Sequence, residues 1–271
     1  MKESGLDAIK NEFLDIYAAI CDLTDDEILN GPEDIFRPHF ERLQRLIARN
    51  VDDHPADELL CDREFQSITK RMSHLKTING LRMEIECARS IIAGPDPWIA
   101  VEGFIYYPNY LRLADMEYRG AELKPGDRVA FLGSGPLPLS LICLCKQYGV
   151  EGIGIEQVPE YAKLSQKLIE VLELIEYIQI VQENHFSLPL NEECMLVMVA
   201  SDAGPKDEIF THLAKTLPNG SRLSYRIYEK GLRRLVDDQA ALDPPPAFKE
   251  YLRIRPEPPV NNTSVFLIKT N

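Results

Sequence analysis

The stretch Arg128-Val-Ala-Phe-Leu-Gly-Ser-Gly-Pro-Leu-Pro-Leu-Ser140, followed at a set distance by Gly152-Ile-Gly-Ile-Glu156, constrains this chain more than any other. Four or five apolar residues running straight into glycine and then proline read as a buried strand that must turn sharply. The apolar residues beyond the turn start a helix, and the second apolar run ends in a carboxylate. A buried strand, a glycine turn, a helix start and a second strand closed by an acid form one half of a Rossmann-type sheet. In such a unit the glycines let the backbone approach a nucleoside, and the acid accepts hydrogen bonds from ribose hydroxyls.

The turn also limits which adenosine compound fits. Gly133 and Gly135 start the pattern, but Pro138 stands where a dinucleotide site would carry its third glycine. No Gly-Lys-Ser/Thr follows, so a P-loop is excluded. With 43 acidic and 30 basic residues the formal charge is −13, which makes polyanionic ligands poorer guests. S-adenosylmethionine (SAM) suits the turn better, since it carries a ribose, an adenine and a cationic sulfonium but no phosphate. Glu156 lies 21 residues past Gly135, close to the spacing of roughly 20 expected of the ribose acid. Ser134 and Pro136 in the turn and Ala200 at the end of the fourth strand complete the expected cofactor set.

The rhythm of the chain changes near residue 121. Before it the apolar spacing is helical: Asp7 to Leu23, Asp34 to Arg49, Arg63 to Ile92 and Trp98 to Tyr118, with breaks at Gly31-Pro32, Asp53-His54-Pro55 and Gly94-Pro95-Asp96-Pro97. After it strands and helices alternate: Arg128–Leu132, helix 137–148, Gly152–Ile155, helix 159–173, Ile178–Val181, Met195–Ala200, helix 206–216 and Arg222–Tyr228. Tyr251–Arg255 and Ser264–Lys269 read as a closing antiparallel hairpin. The expected fold is therefore α/β: a Rossmann-like sheet of the SAM-dependent methyltransferase type (residues 121–271) behind an all-helical N-terminal domain (residues 1–120) that covers the acceptor site.

Composition excludes other classes. No run of about 18 apolar residues exists and the N-terminus lacks a signal-peptide core, so a membrane partner is not expected. The six cysteines are scattered through apolar stretches, as in a reduced cytoplasmic protein. The five histidines are dispersed as well, so no metal site is assigned. An acidic chain without a basic stripe is not expected to bind nucleic acid.

A second site comes from a helical wheel. At about 100° per residue, Leu81, Ile85, Ala88 and Ile92 form one stripe, and Glu84 falls inside the apolar arc. Glu86 falls on the solvated side with Arg82 and Arg89. An inward carboxylate loses hydration, its pKa rises, and it becomes a proton acceptor suited to neutral pH; a salt-bridged helix acid is the alternative. Tyr106 and Tyr110 stand one turn apart if the helix tolerates Pro108.

Several elements together resemble the nicotianamine synthases, in particular their archaeal form, with a relationship to the bacterial opine-metallophore (staphylopine-type) synthases. They are Leu81-Arg-Met-Glu-Ile-Glu86, Pro97-Trp98, Tyr106-Tyr-Pro-Asn-Tyr110, Phe131-Leu-Gly-Ser-Gly-Pro-Leu-Pro-Leu139, Tyr225-Arg-Ile-Tyr228 and Val260-Asn-Asn-Thr-Ser-Val265. They run from about residue 75 to the end; the first 60 residues carry little of the likeness. The resemblance implies transfer of the 3-amino-3-carboxypropyl group of SAM to the amine of an amino acid of histidine or glutamate type. Methylthioadenosine leaves, the product is a small metal chelator, and the enzyme itself needs no metal. It implies that Glu84 is the catalytic glutamate and that Tyr110 lies with it at the reacting amine. Tyr107 belongs to the same tyrosine-rich motif, and Tyr106 is expected at the substrate. Asn184 stands where the archaeal form has an acid for adenine. Arg226, Asn261 and Asn262 are candidates for gripping the methionine tail or an acceptor carboxylate; Arg226 closing a salt bridge at a strand end is the alternative. A homodimer is the expected assembly. The rival readings are an ordinary SAM-dependent small-molecule methyltransferase and a non-enzymatic subunit that kept the fold.

Overall fold

A computed structural model describes residues 5–187, 194–237 and 243–270. It comprises two compact units, one formed by Met1–Met83 with Tyr228–Ala241 and the other by Glu84–Ile227 with Leu242–Asn271. The division falls inside a single long helix, not at the change of rhythm near residue 121.

The first unit is helical: α1 (Gly5–Ile20), α2 (Asp25–Asn30), α3 (Arg37–Ile47), α4 (His54–Leu60) and the first part of α5 (Arg63–Ala93), with a 3₁₀ segment at Gly231–Val236. Its core follows from spacing. Ile9, Phe13, Ile16 and Ile20 recur at the helical period along α1, and all are buried. They meet Phe40, Leu43 and Leu46 of α3, Phe65, Met72 and Leu75 of α5, and Leu232 and Leu235 of the 3₁₀ segment. Thr24 and Glu27 form a reciprocal capping box at the start of α2. Arg82, expected on a solvated face, instead donates to the carbonyls of Ile28 and Gly31, both at 2.8 Å. A free C-terminal carbonyl of α2 is an attractive partner for a guanidinium.

The second unit is a seven-stranded sheet in the order β3-β2-β1-β4-β5-β7-β6. The strands are β1 (Arg128–Leu132), β2 (Glu151–Glu156), β3 (Ile178–Gln182), β4 (Leu196–Val199), β5 (Arg222–Ile227), β6 (Phe248–Ile254) and β7 (Thr263–Lys269). Pairing is parallel from β3 through β5, and β7 runs antiparallel to both β5 and β6. The expected methyltransferase-type sheet and terminal hairpin are both present. β1 has β2 on one side and β4 on the other, so the strand order reverses there. In an open α/β sheet ligands bind at the carboxyl ends of the strands at that reversal.

Helices α6 (Pro97–Glu102), α7 (Tyr107–Gly120), α8 (Leu139–Tyr148), α9 (Pro159–Val171) and α10 (Lys206–Thr216) accompany the sheet. The single helix expected over Trp98–Tyr118 is two. The chain breaks after Glu102, and Pro108 becomes the second residue of α7, where a missing N–H costs no helical hydrogen bond. Pro138 in turn is the N-cap residue of α8. Room for close packing of α8 on the sheet comes from Gly152 of β2: a Cβ there would lie 2.8 Å from Leu141 Cδ2.

Candidate active site

The glycine turn is built by its own backbone. Gly133 and Gly135 have φ of +73° and +69°, a region L side chains rarely enter. The N–H groups of Gly133 and Ser134 both donate to the Ile155 carbonyl, at 2.9 and 3.2 Å, which fastens the turn to β2. One residue on, the Glu156 carboxylate accepts from the Gly135 N–H at 3.0 Å and the Val158 N–H at 2.8 Å. The acid read as a ribose acceptor is therefore also the brace that holds the turn open. It is buried, and each carboxylate oxygen keeps a lone pair for a hydroxyl. Ser134 Oγ is buried without a hydrogen-bond partner among the described residues. Ala200 donates its N–H to the Leu132 carbonyl at 3.0 Å, and its Cβ lies 3.4 Å from where a Cβ on Gly133 would stand. Asn184 follows β3, and its side-chain oxygen accepts from the Phe186 N–H at 2.9 Å in a local turn.

Glu84 reaches this turn from α5, where Ala88 and Ile91 on its face are fully buried and Glu86 and Arg89 are exposed. Tyr110 of α7 donates its hydroxyl to Glu84 Oε1 at 3.2 Å. Glu84 Oε2 lies 3.2 Å from the place a Cβ on Gly135 would occupy. Burial is the main reason that the Glu84 pKa is pushed up to about 8; the negative charge of Asp202 adds to it, Tyr110 opposes it, and Glu156 adds a smaller push. Cys87, one turn along the helix, is pushed up to about 11 by burial and by Glu84. An inward acid, a tyrosine hydroxyl and the glycine turn thus meet at the strand-order reversal.

The profile of the nicotianamine synthase protein family matches residues 2–271. The chain belongs to that family. Among curated relatives, nicotianamine synthase 2 of Oryza sativa subsp. indica is 31% identical over 107 residues, 38% of this chain and 33% of the relative. Probable nicotianamine synthase 2 of Hordeum vulgare is 28% identical over 148 residues, 53% and 42% of the two chains. The chain therefore spans between a third and a half of the length of these relatives. Among solved structures, a glutamate-to-glutamine mutant of MtNAS is similar with a TM-score of 0.82 and 26% identity over 98% of both chains. MtNAS in complex with MTA and tNA gives 0.81 and 26% over the same shares.

In this nicotianamine synthase family member the two motifs that set it apart from other SAM folds touch each other. Asn109, buried in α7, accepts from the Asn261 N–H at 2.9 Å, so Tyr-Tyr-Pro-Asn-Tyr is tied to Asn-Asn-Thr-Ser-Val. Asn262 is buried with its amide nitrogen lacking a hydrogen-bond partner among the described residues. Tyr106 packs edge-on against Phe104 with ring centroids 5.6 Å apart. Tyr107 is half-buried, its pKa raised by burial and by Cys143 and Glu102, groups other than those gathered around Glu84. For Arg226, the structure favours the salt-bridge alternative. It is 5% exposed; Nε donates to Glu117 Oε1 at 3.1 Å and one terminal nitrogen to Ser140 Oγ at 2.9 Å. Ser264 Oγ also donates to Glu117 Oε1, at 3.3 Å. One Arg226 terminal nitrogen and Glu117 Oε2 remain without partners among the described residues.

Glu117 and Asp202 escaped the sequence reading. Glu117 sits on α7 four residues after Leu113 and three after Ala114, so its helical spacing placed it on the buried face and was the signal that could have found it. Asp202 belongs to a turn with no periodicity. Among the described residues no group of three or more His, Cys, Asp or Glu is placed to hold a metal ion, and no helix is long and apolar enough to cross a membrane.

Proposed function

We propose that this protein transfers the 3-amino-3-carboxypropyl group of SAM to the α-amine of an amino-acid acceptor, of glutamate or histidine type, with release of methylthioadenosine. The product is a nicotianamine-like metal chelator. The observation that carries the reading is the Glu84–Tyr110 hydrogen bond directly over Gly135. A proton acceptor and its orienting hydroxyl stand at the edge of a cradle shaped for a nucleoside. Family membership supports it, as do MtNAS structures described in complex with S-adenosylmethionine and with MTA and tNA.

The acceptor's ammonium must lose a proton before its nitrogen can attack. Glu84 takes that proton, and a base whose pKa lies near the working pH is the efficient kind. Tyr110 fixes the carboxylate and holds the amine in line. The nitrogen lone pair then forms the bond to the γ carbon, the carbon–sulfur bond breaks, and its electron pair leaves on sulfur. Gly133, Gly135 and Glu156 hold the nucleoside through backbone approach and ribose hydroxyls. Tyr106, Asn261 and Asn262 are proposed substrate contacts, and Asn184 and Ala200 border the adenine side. A cytoplasmic homodimer without nucleic-acid or membrane partners is the working picture; the six free cysteines fit a reduced compartment.

Incubation with SAM and individual amino acids, followed by chromatography and mass measurement, tests the reading. Methylthioadenosine and an acceptor heavier by one aminocarboxypropyl group are expected. S-adenosylhomocysteine in their place would make the protein a methyltransferase.

A further inference from the structure

Helix α7 carries Tyr110 near one end and a buried acid near the other. Tyr110 and Glu117 are seven residues apart, two helical turns, so they share a face of α7 at a separation of about 10 Å. Leu113 and Ala114 lie between them on that face, both buried. Apolar contacts such as those of Leu113 and Met116 with Val260 hold the helix down. Being non-directional, they fix its rotation and its slide along its own axis only weakly. Glu117 supplies direction. It is 1% exposed, and a carboxylate buried that far needs hydrogen-bonding partners. Its partner divides its bonds: Arg226, near the end of β5, gives Nε to Glu117 Oε1 at 3.1 Å and Nη1 to Ser140 Oγ at 2.9 Å. The guanidinium also lies 5.9 Å from the centre of the Phe131 ring. A guanidinium that served only to neutralise a carboxylate would close side by side on both oxygens. Here Glu117 Oε2 and Arg226 Nη2 have no partners among the described residues, while Nη1 is spent on α8. Ser140 is the second residue of α8, five residues beyond Gly135, and Phe131 stands in β1 two residues before Gly133. One side chain thus meets the strand that enters the glycine turn, the helix that leaves it and the helix that bears Tyr110.

Resting on the reading proposed above, we infer that Arg226 and Glu117 are positioning residues, which lock α7 against the glycine turn so that the Tyr110 hydroxyl meets Glu84. A buried ion pair is weak evidence for stability, since apolar residues of similar volume often replace one without loss. What apolar residues cannot supply is orientation. The Tyr110–Glu84 bond, at 3.2 Å, is already long for a hydroxyl donor, so a small rotation or slide of α7 breaks it. A misplacement of about 1 Å by a change far from the chemistry can cost about 100-fold in rate. Asn109 adds a second tie beside Tyr110, accepting from the Asn261 N–H at 2.9 Å. Ser264 Oγ steadies Glu117 Oε1 from β7. This role differs from gripping the methionine tail, because Nε and Nη1 of Arg226 are both spent inside the protein.

Four proteins make the test a double-mutant cycle: the wild type, Tyr110→Phe, Arg226→Met with Glu117→Leu, and the triple variant. Methylthioadenosine release is followed from about pH 6 to about pH 10, with denaturant melts and calorimetric SAM titration alongside. The variant carrying Arg226→Met and Glu117→Leu should melt close to the wild type and bind SAM with similar affinity. Its kcat/KM should fall about tenfold near pH 7 and recover towards about pH 10, as loss of a hydrogen bond to ionised Glu84 requires. Adding Tyr110→Phe should cost nothing further, because the hydroxyl that the pair aims is already gone. Losses that multiply in the triple variant would overturn the inference, as would a folded Arg226→Met, Glu117→Leu variant with the wild-type rate and pH profile. Should that variant not fold, Ser140→Ala, which cuts only the tie to α8, takes its place in the same cycle. A Ser140→Ala loss that multiplies with that of Tyr110→Phe, or no loss at all, overturns the inference. A wild type that releases S-adenosylhomocysteine, or nothing, overturns the functional reading beneath it, and shows this before any variant is made.

Discussion

Replacing Tyr110 with phenylalanine removes one hydroxyl and leaves the ring, so it isolates the bond that Tyr110 makes to Glu84. That hydroxyl favours the ionised form of Glu84, against burial and the charges of Asp202 and Glu156. A hydrogen bond to a charged group is worth about 1.5–3 kcal/mol, and the 3.2 Å separation lies beyond the usual O–H···O range. The lower figure applies, which is close to one pKa unit. The acid limb of kcat/KM for the donor reports the free enzyme and is expected at about 8 in the wild type. In Tyr110→Phe it should move up by about one unit. The ionised fraction of Glu84 at neutral pH then drops from about a tenth to about a hundredth. The variant should therefore lose about tenfold in kcat/KM near pH 7, and the deficit should shrink steadily towards about pH 10. Rates of methylthioadenosine release measured across that pH range decide the matter. A deficit of the same size at every pH would refute the reasoning, because Tyr110 would then place the amine without tuning the base.

Glu84→Gln should retain SAM affinity in calorimetry while methylthioadenosine release falls by at least about 100-fold, the usual contribution of a general base. The same variant carries a stability signature. A carboxyl whose pKa rises from 4.5 to about 8 on folding holds its proton longer in the folded chain, so wild-type stability declines as pH rises through that window. The shift amounts to a few kcal/mol, about 5 kcal/mol at most. Denaturant melts above about pH 8 should find Glu84→Gln more stable than the wild type by up to that amount, and equal stabilities there would count against a buried acid. Arg226→Met alone should cost about 3–5 kcal/mol by stranding Glu117, whereas Arg226→Met with Glu117→Leu should recover most of it; a double variant as weak as the single would refute the pairing. Gly135→Ala should cost about 1–2 kcal/mol for its left-handed backbone, and titration should show weakened SAM binding because the new methyl crowds Glu84.

The glycine turn and the acid that braces it were legible because they are local. Gly133, Gly135 and Glu156 lie within one strand–turn–helix–strand unit, where hydrophobic period and turn chemistry leave few alternatives. Glu84 was legible for a related reason: a wheel reports which face of a helix is apolar, and an acid on that face stands out. The break before α7 was not legible, since Pro108 fits both a kinked long helix and the first turn of a new one.

The one-dimensional code of this chain thus determines faces and turns: which side of α5 is inward, where β1 must stop, and which acid lies a fixed distance beyond the glycines. Three-dimensional topology alone decides partners. Glu117 meets Arg226 across 109 residues, Asn109 meets Asn261 across 152, and Tyr110 meets Glu84 across 26. Asp202 joins them only because β4 pairs beside β1. Period-based reasoning works over a turn or two of chain, whereas electrostatics acts over ångströms of space. The pKa of Glu84 therefore belongs to the folded arrangement of charges and cannot be read from its neighbours in sequence.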